Sequence, residues 1–281
     1  ATLCASVAAA QTAPAGNAHP DTPAIAEVEG ANPFGEPSPQ PADIDAKRAF
    51  ASKVDLAPMR DLAVFEGGRT KILDTLARET IRSILGRRDF VDFKIRPDGE
   101  ADKKHYDPLF TFLDLAIDPA YYLDKPLIHV EYLPLREAFL ESMYSDKGEI
   151  EWWKRLGRLK PGELMLAWRT IGPTLPPDPQ TQRALGQVGL AFSLYQDSWH
   201  NLLMVAPKGE ELAWHHLSEL PAESPAANAA TALGRAWRAG DADKANEAIR
   251  MLAAELPKIN PENYPAGRRS LEAPAAPKPV F

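Results

Sequence analysis

Apolar residues at Leu185, Val188, Phe192, Tyr195, Trp199 and Leu202 step alternately by three and four through residues 180–206. Only an α-helix turns that spacing into one face, so the centre of the chain is expected to be a long core helix, broken at Ala206-Pro207-Lys208-Gly209. The same period recurs upstream. Leu76, Ala77, Thr80, Ile81, Ile84 and Leu85 form a stripe that Asp74 can cap and Gly86 ends. Asp107-Pro108 announces a helix carrying Leu109, Phe110, Leu113 and Ile117, which Asp118-Pro119 stops. Helices are further expected over 135–143, 149–159 (with Trp152 and Trp153), 163–171 and 210–220. The last ordered unit reads as an αα-hairpin, about 225–239 and 241–256 joined at Gly240, with Leu233 and Trp237 facing Ala245, Ile249, Leu252 and Leu256.

Strands are few. Leu62-Ala63-Val64-Phe65, then Gly67-Gly68, then Arg69 to Leu73 reads as a small hairpin with a glycine turn, and Leu127 to Val130 as a lone strand. The fold class is therefore mainly α with a small β-hairpin: a helical domain ending in an αα-hairpin, with disordered Pro/Ala-rich tails. One compact core and two lobes divided near residue 180 both fit this pattern.

The ends differ from the middle. Residues 1–10, ATLCASVAAA, read as a signal peptide remnant with Ala8 and Ala10 set as in an A-x-A cleavage site, which implies export to the periplasm. Cys4 is the only cysteine, and Leu3 before it disfavours a lipoprotein site. Cleavage after Ala10 leaves no thiol, which excludes disulfides and covalent haem attachment. Residues 11–45 hold no Lys or Arg, six acids and repeated Pro, the composition of a disordered acidic linker. Residues 46–272 form the expected helical extracytoplasmic domain, and 273–281 a Pro/Ala linker. Without the 6 linker acids, 33 of the 39 acidic residues face 32 basic ones, so no nucleic-acid footprint exists. No apolar run is long enough to span a bilayer, and membrane association would need a segment after Phe281.

Candidate chemistry is sparse. Glu211, His215 and Glu219 at i,i+4 spacing would offer a metal ledge on one helix face, the basis of a metal-dependent enzyme reading. Trp199-His200 with Trp214-His215-His216 supplies aromatic and axial groups for haem contact, with His200, Trp214, His215 and His216 as the candidates. Gly67-Gly68-Arg69 ahead of a helix N-terminus is an interaction or anion-binding turn, together with Lys71, Asp74, Thr75 and Arg78. His129 and Glu131 on one strand face, and His105 near Asp107, read as structural. G-x-S-x-G, H-E-x-x-H and paired-carboxylate motifs lack supporting context, so no enzyme active site is expected.

The segment Phe65-Glu66-Gly67-Gly68-Arg69-Thr70-Lys71-Ile72-Leu73-Asp74-Thr75-Leu76-Ala77-Arg78-Glu79 resembles the opening "GGR-x-K-P-L-D-T-x-A-R" of extracytoplasmic domains in the system II cytochrome c biogenesis family, of planctomycete- and Bacteroidetes-like type. Those domains precede a haem-handling membrane region. Leu202 to Pro207 is similar to the family's apolar run ending in Pro, Trp214 with Leu217 to its "W-x-x-L", Ala236 to Asp241 to its "aW-x-x-gD" turn, and Asn260 to Pro265 to its "P-x-x-Y-P" exit. Ile72 replaces the usual Pro, and the Pro/Ala linker replaces the Tyr-Asn entry after Glu272. The tryptophan-rich haem motif and membrane histidines of the family do not occur in this chain. The resemblance implies a non-catalytic periplasmic accessory domain whose partner is a membrane cytochrome c assembly component or apocytochrome c, with haem possible through that partner; it transfers no haem ligand to any residue here. The altered exit leaves an extracytoplasmic subunit of a respiratory or photosynthetic electron-transfer complex as the alternative.

Overall fold

The computed structural model describes residues 31–265 apart from Pro97, Gly99 and Leu212; the signal-peptide, early-linker and 273–281 expectations lie outside these residues. The elements run α1 (Ile44–Ala51), α2 (Ala57–Arg60), β1 (Ala63–Glu66), β2 (Arg69–Ile72), α3 (Leu73–Leu85), β3 (Val91–Ile95), β4 (Ala101–His105), α4 (Pro108–Ile117), β5 (Ile128–His129), α5 (Leu133–Met143), α6 (Lys147–Leu156), β6 (Arg158–Leu159), α7 (Pro161–Ile171), α8 (Pro179–Gln196), α9 (Pro225–Arg238) and α10 (Ala242–Ile259). The protein is mainly α, with antiparallel two-stranded pairs β1–β2, β3–β4 and β5–β6. One large core of buried residues runs from Phe34 to Leu256 and draws on both sides of residue 180.

Helix signals mostly land where the chemistry places them. Every residue of the stripe from Leu76 to Leu85 on α3 is buried, and Gly86 closes the helix at φ 66°, a left-handed value that glycine adopts without cost. Asp107 caps α4 by accepting the Leu109 N–H at 2.8 Å, with Pro108 in the first turn. Ser224 and Asp241 cap α9 and α10, and Leu233, Trp237, Ala245, Ile249, Leu252 and Leu256 are buried in the αα-hairpin. At the centre of the core α4 presents a buried carboxylate. Asp114 accepts from Lys47 Nζ at 2.6 Å, Trp237 Nε1 at 2.7 Å and the Tyr122 hydroxyl at 2.8 Å, so its charge is paired and its oxygens are satisfied.

Four expectations are corrected. The long core helix ends at Gln196 rather than near 206, and a 3-10 turn, Ser198–Asn201, follows. Thr181, Ala184, Val188, Ala191 and Tyr195 are its buried set, while Leu185 and Phe192 are only partly covered. Among the described residues of 210–220 no α-helix forms; Val205 and His215 pair as an isolated bridge, and a 3-10 turn occupies Leu217–Glu219. Asp74 lies in the first turn of α3, whose N-cap is Ile72. The acidic linker joins the body well before Asp45: Phe34 is 1% exposed, Asn32 Nδ2 donates to the Ala116 carbonyl at 2.8 Å, and Asp43 caps α1. A single aromatic anchor with paired backbone groups suffices to order a segment that is otherwise polar.

Candidate functional site

The β1–β2 hairpin turns on Gly67 (φ 60°) and Gly68 (φ 78°), two successive left-handed residues as a two-residue type I′ turn demands. Its inner residues Ala63 and Val64 are buried, and its tip is exposed. Lys71 is nearly buried at the base, where Nζ meets Glu66 and lies 2.5 Å from Glu79 on α3. Burial alone would lower the Lys71 ammonium, but the two carboxylates outweigh it and hold its pKa above the ordinary lysine value. Arg69 Nη2 lies 3.6 Å from the other Glu79 oxygen. Asp74 pairs with Arg60 and, at 2.7 Å, with Arg78 Nε. The cations proposed for an anion are therefore already matched by carboxylates, which leaves the turn as an exposed, braced projection.

Three distant segments meet this hairpin. Phe65 N–H donates to the Leu203 carbonyl at 2.9 Å, extending the hairpin edge into the Leu202–Pro207 run. Val205 exchanges backbone hydrogen bonds with His215 at 3.1 and 3.0 Å, which brings in the Trp214 segment. From the exit after α10, the Tyr264 hydroxyl accepts the Ala63 N–H at 2.9 Å. Asn260 Nδ2 donates to the Ala206 carbonyl at 2.6 Å, and Asn263 Nδ2 to the carbonyls of Pro207 at 2.9 Å and Gly209 at 2.8 Å. Ala63, Ala206 and Tyr264 form a separate buried cluster under Trp214. The Trp214 ring stacks on Phe65 at 6.3 Å with a 9° tilt and meets Tyr264 at 6.4 Å. Half-buried Trp214 and Phe65 thus form an aromatic surface beside the glycine tip.

Glu211, His215 and Glu219 do come together, without a helix. His215 Nδ1 lies 3.0 Å from Glu219 and Nε2 3.3 Å from Glu211. The Glu219 hydrogen bond first, then Glu211, raises the His215 pKa despite partial burial. Each ring nitrogen thereby favours its proton, and the trio is an ion-paired surface cluster. Among the described residues no group of three or more His, Cys, Asp or Glu has the arrangement to hold a metal ion.

The haem-contact candidates divide. His216 is fully buried: Nε2 lies 2.8 Å from the Trp199 carbonyl, and Nδ1 accepts the Ser218 N–H at 3.0 Å, capping the 3-10 turn. Burial holds its pKa below the ordinary histidine value. His200 packs edge-on to Trp199 at 4.0 Å, and Trp199 in turn meets His216 at 5.5 Å. Trp214 belongs to the hairpin side, with Phe65 and Tyr264, whereas His200 and His216 pack on Trp199. With Nδ1 accepting the Ser218 N–H and Nε2 on the Trp199 carbonyl, His216 has no free lone pair for iron.

Residue-level reasoning did not foresee Asn260, Asn263 and Tyr264 as anchors of the hairpin. Their asparagine and tyrosine side chains next to Pro261 and Pro265 signal a turn but not its partner. No protein-family model matches this chain, and no curated protein matches it.

Proposed function

We propose that the protein is a non-catalytic periplasmic accessory domain in cytochrome c assembly, docking a membrane haem-handling component or apocytochrome c through the β1–β2 hairpin and the Trp214–Phe65 surface. One observation carries this reading. Four of the five segments that resemble the assembly family, Phe65–Glu79, Leu202–Pro207, Trp214–Leu217 and Asn260–Pro265, bond to one another in a single place although up to two hundred residues separate them. The fifth, Ala236–Asp241, is the turn at the opposite end of the 18-residue helix α10. Motifs spread along a chain and gathered at one surface fit an interaction site better than scattered packing constraints.

The chemistry of the face supports a docking role. Its cations and His215 are paired with carboxylates, its tip is exposed backbone, and its aromatic pair offers the kind of surface on which interface energy concentrates. Haem, on this reading, is held by the partner. Among the described residues no helix is long and apolar enough to cross a membrane.

Tagged protein purified from native membranes is expected to bring down a cytochrome c assembly component, and Arg69→Glu at the exposed tip is expected to reduce the yield severalfold while leaving thermal stability unchanged. Recovery of a respiratory or photosynthetic complex in its place would favour the electron-transfer alternative. Absence of any assembly component from the wild-type sample would overturn the proposal.

A further inference from the structure

The β3–β4 hairpin is built inside out. On the side facing the body it carries charge: Asp92, 2% exposed, accepts from the Tyr121 hydroxyl and from Lys125 at 3.2 Å. Arg48 holds Asp102 at 2.5 Å, and Lys94 meets Asp45 at 2.6 Å. The other face carries Val91, Phe93 and Ile95, paired across the strands with His105, Lys103 and Ala101. Phe93 is 38% and Ile95 61% exposed. This apolar face is one wall of a cavity of about 490 Å3, and α6 closes it from the other side with Leu156 and with Trp152, itself 46% exposed.

No acidic residue lines this cavity, yet three cations do: Arg87, Lys103 and Arg158. None of the three has an ion pair among the described residues. Arg158 is the most telling, because β6 fixes it opposite His129 and half-buries it, with only the Leu85 carbonyl at 3.5 Å as a side-chain partner. Burial, reinforced by Arg87 nearby, pushes its pKa down to about 10, the mark of a guanidinium held without a counter-charge. Asp89, the acid nearest Arg87 in sequence, is engaged 2.6 Å from His105.

We propose that this cavity is a binding site for an aliphatic carboxylate, its chain lying against Phe93, Ile95, Trp152 and Leu156 and its carboxylate on the guanidinium groups of Arg158 and Arg87. The volume is that of a small-molecule site, a few apolar walls with convergent polar groups. A carboxylate supplies the missing counter-charge and suits the planar two-pronged guanidinium. A peptide would instead bring backbone amides that an apolar wall leaves unpaired. This inference is independent of the assembly reading and stands or falls separately.

The test is calorimetric titration of the whole protein with laurate, methyl laurate and inorganic phosphate, each below the micelle threshold, with the fluorescence of Trp152 read against a Trp152→Phe control. Laurate is expected to bind one to one, methyl laurate at least tenfold more weakly, and phosphate without saturation. Arg158→Gln and, separately, Phe93→Ser should each weaken laurate tenfold or more, and Phe93 is exposed enough to change without unfolding the chain. Equal binding of acid and ester reduces the site to a greasy patch and overturns the proposal. So does equal binding of phosphate, or laurate affinity untouched by both variants, or no laurate binding at all.

Discussion

Gly234→Ala sets two well-known effects against each other. Gly234 lies inside α9, where alanine is the better helix former by about 1 kcal/mol, so local propensity alone makes the variant more stable. The tertiary structure says the reverse. A Cβ at this position would stand 1.9 Å from the Phe34 carbonyl oxygen, 2.7 Å from its carbon and 2.8 Å from its Cβ. Backbone atoms cannot yield by swinging aside, so the segment around Phe34 must leave its groove. It gives up the burial of a phenylalanine ring, about 1.5–3 kcal/mol, and a charged hydrogen bond, about 1.5–3 kcal/mol, the latter from Arg238 Nη2 to the Phe34 carbonyl at 2.8 Å. Recovered chain entropy and the helix-propensity gain offset part of this, leaving a net loss of about 1–3 kcal/mol.

Urea denaturation measures the loss, and limited proteolysis locates it, since residues near Phe34 should become cleavable while α9 stays protected. Phe34→Ala displaces the same segment by a different route. The two substitutions together should cost little more than the larger one alone, because the second acts on a segment already detached. A rise in stability of about 1 kcal/mol for Gly234→Ala, or effects that add to within about 0.5 kcal/mol, would refute the close-approach argument.

Three further outcomes are expected. Lys47→Met strands the buried Asp114 charge with only Tyr122 and Trp237 as donors and should cost about 3–5 kcal/mol in urea melts, while adding Asp114→Leu should recover much of it; a loss below about 1 kcal/mol would contradict the pairing. The His215 imidazole, its pKa raised by Glu219 and Glu211, should titrate by NMR above the ordinary value of about 6.5, and His216, buried, below it. Since the folded His215 pKa exceeds the unfolded one, its contribution is complete below about pH 6.5 and fades as pH rises through the folded pKa; exposure keeps it under about 1 kcal/mol, and a His215 midpoint at or below that of His216 would remove the cluster. Arg158→Met, which relieves a half-buried cation that has no counter-charge, should stabilise the ligand-free protein by about 1 kcal/mol in thermal melts, whereas a loss of stability would mean that its charge is matched.

Local rules carried far where their physics is local. The α3 stripe, the Asp107-Pro108 start, the αα-hairpin and the Gly67-Gly68 turn each depend on neighbours within a few residues, and each formed as expected. The overextended central helix has an instructive cause. A 3-10 turn repeats every three residues, so Trp199 and Leu202 keep their place in a three-and-four pattern after the α-helix has stopped, and periodicity alone does not register the change. The i,i+4 spacing of Glu211, His215 and Glu219 misled in the opposite way. The three side chains meet, but a β-bridge at His215 and a 3-10 turn at Leu217–Glu219 bring them round. Strand β3 does carry the period-two alternation, Val91, Phe93 and Ile95 against Asp92 and Lys94, and was legible on that ground; what the sequence conceals is that the charged face is the inward one.

What the sequence withheld most completely is which charges are spent. The counts of acids and bases nearly balance once the N-terminal acids are set aside, and Arg69, Lys71 and Arg78 look as available as Arg87, Lys103 and Arg158. Folding separates the two sets. Glu79 from α3 reaches back to Lys71 and Arg69, and Asp74 takes Arg78, so the glycine turn is electrically closed and offers shape and aromatic surface to a partner. Among the described residues no carboxylate pairs with Arg158, and the strand acids of that hairpin, Asp92 and Asp102, lie on its opposite face, paired with Lys125 and Arg48. The inversion that exposes Phe93 and Ile95 thus also removes the acids from the cavity. An apolar wall and unmatched cations have a single structural cause, and the cost of both to the ligand-free protein is the physical reason to expect an apolar acid there.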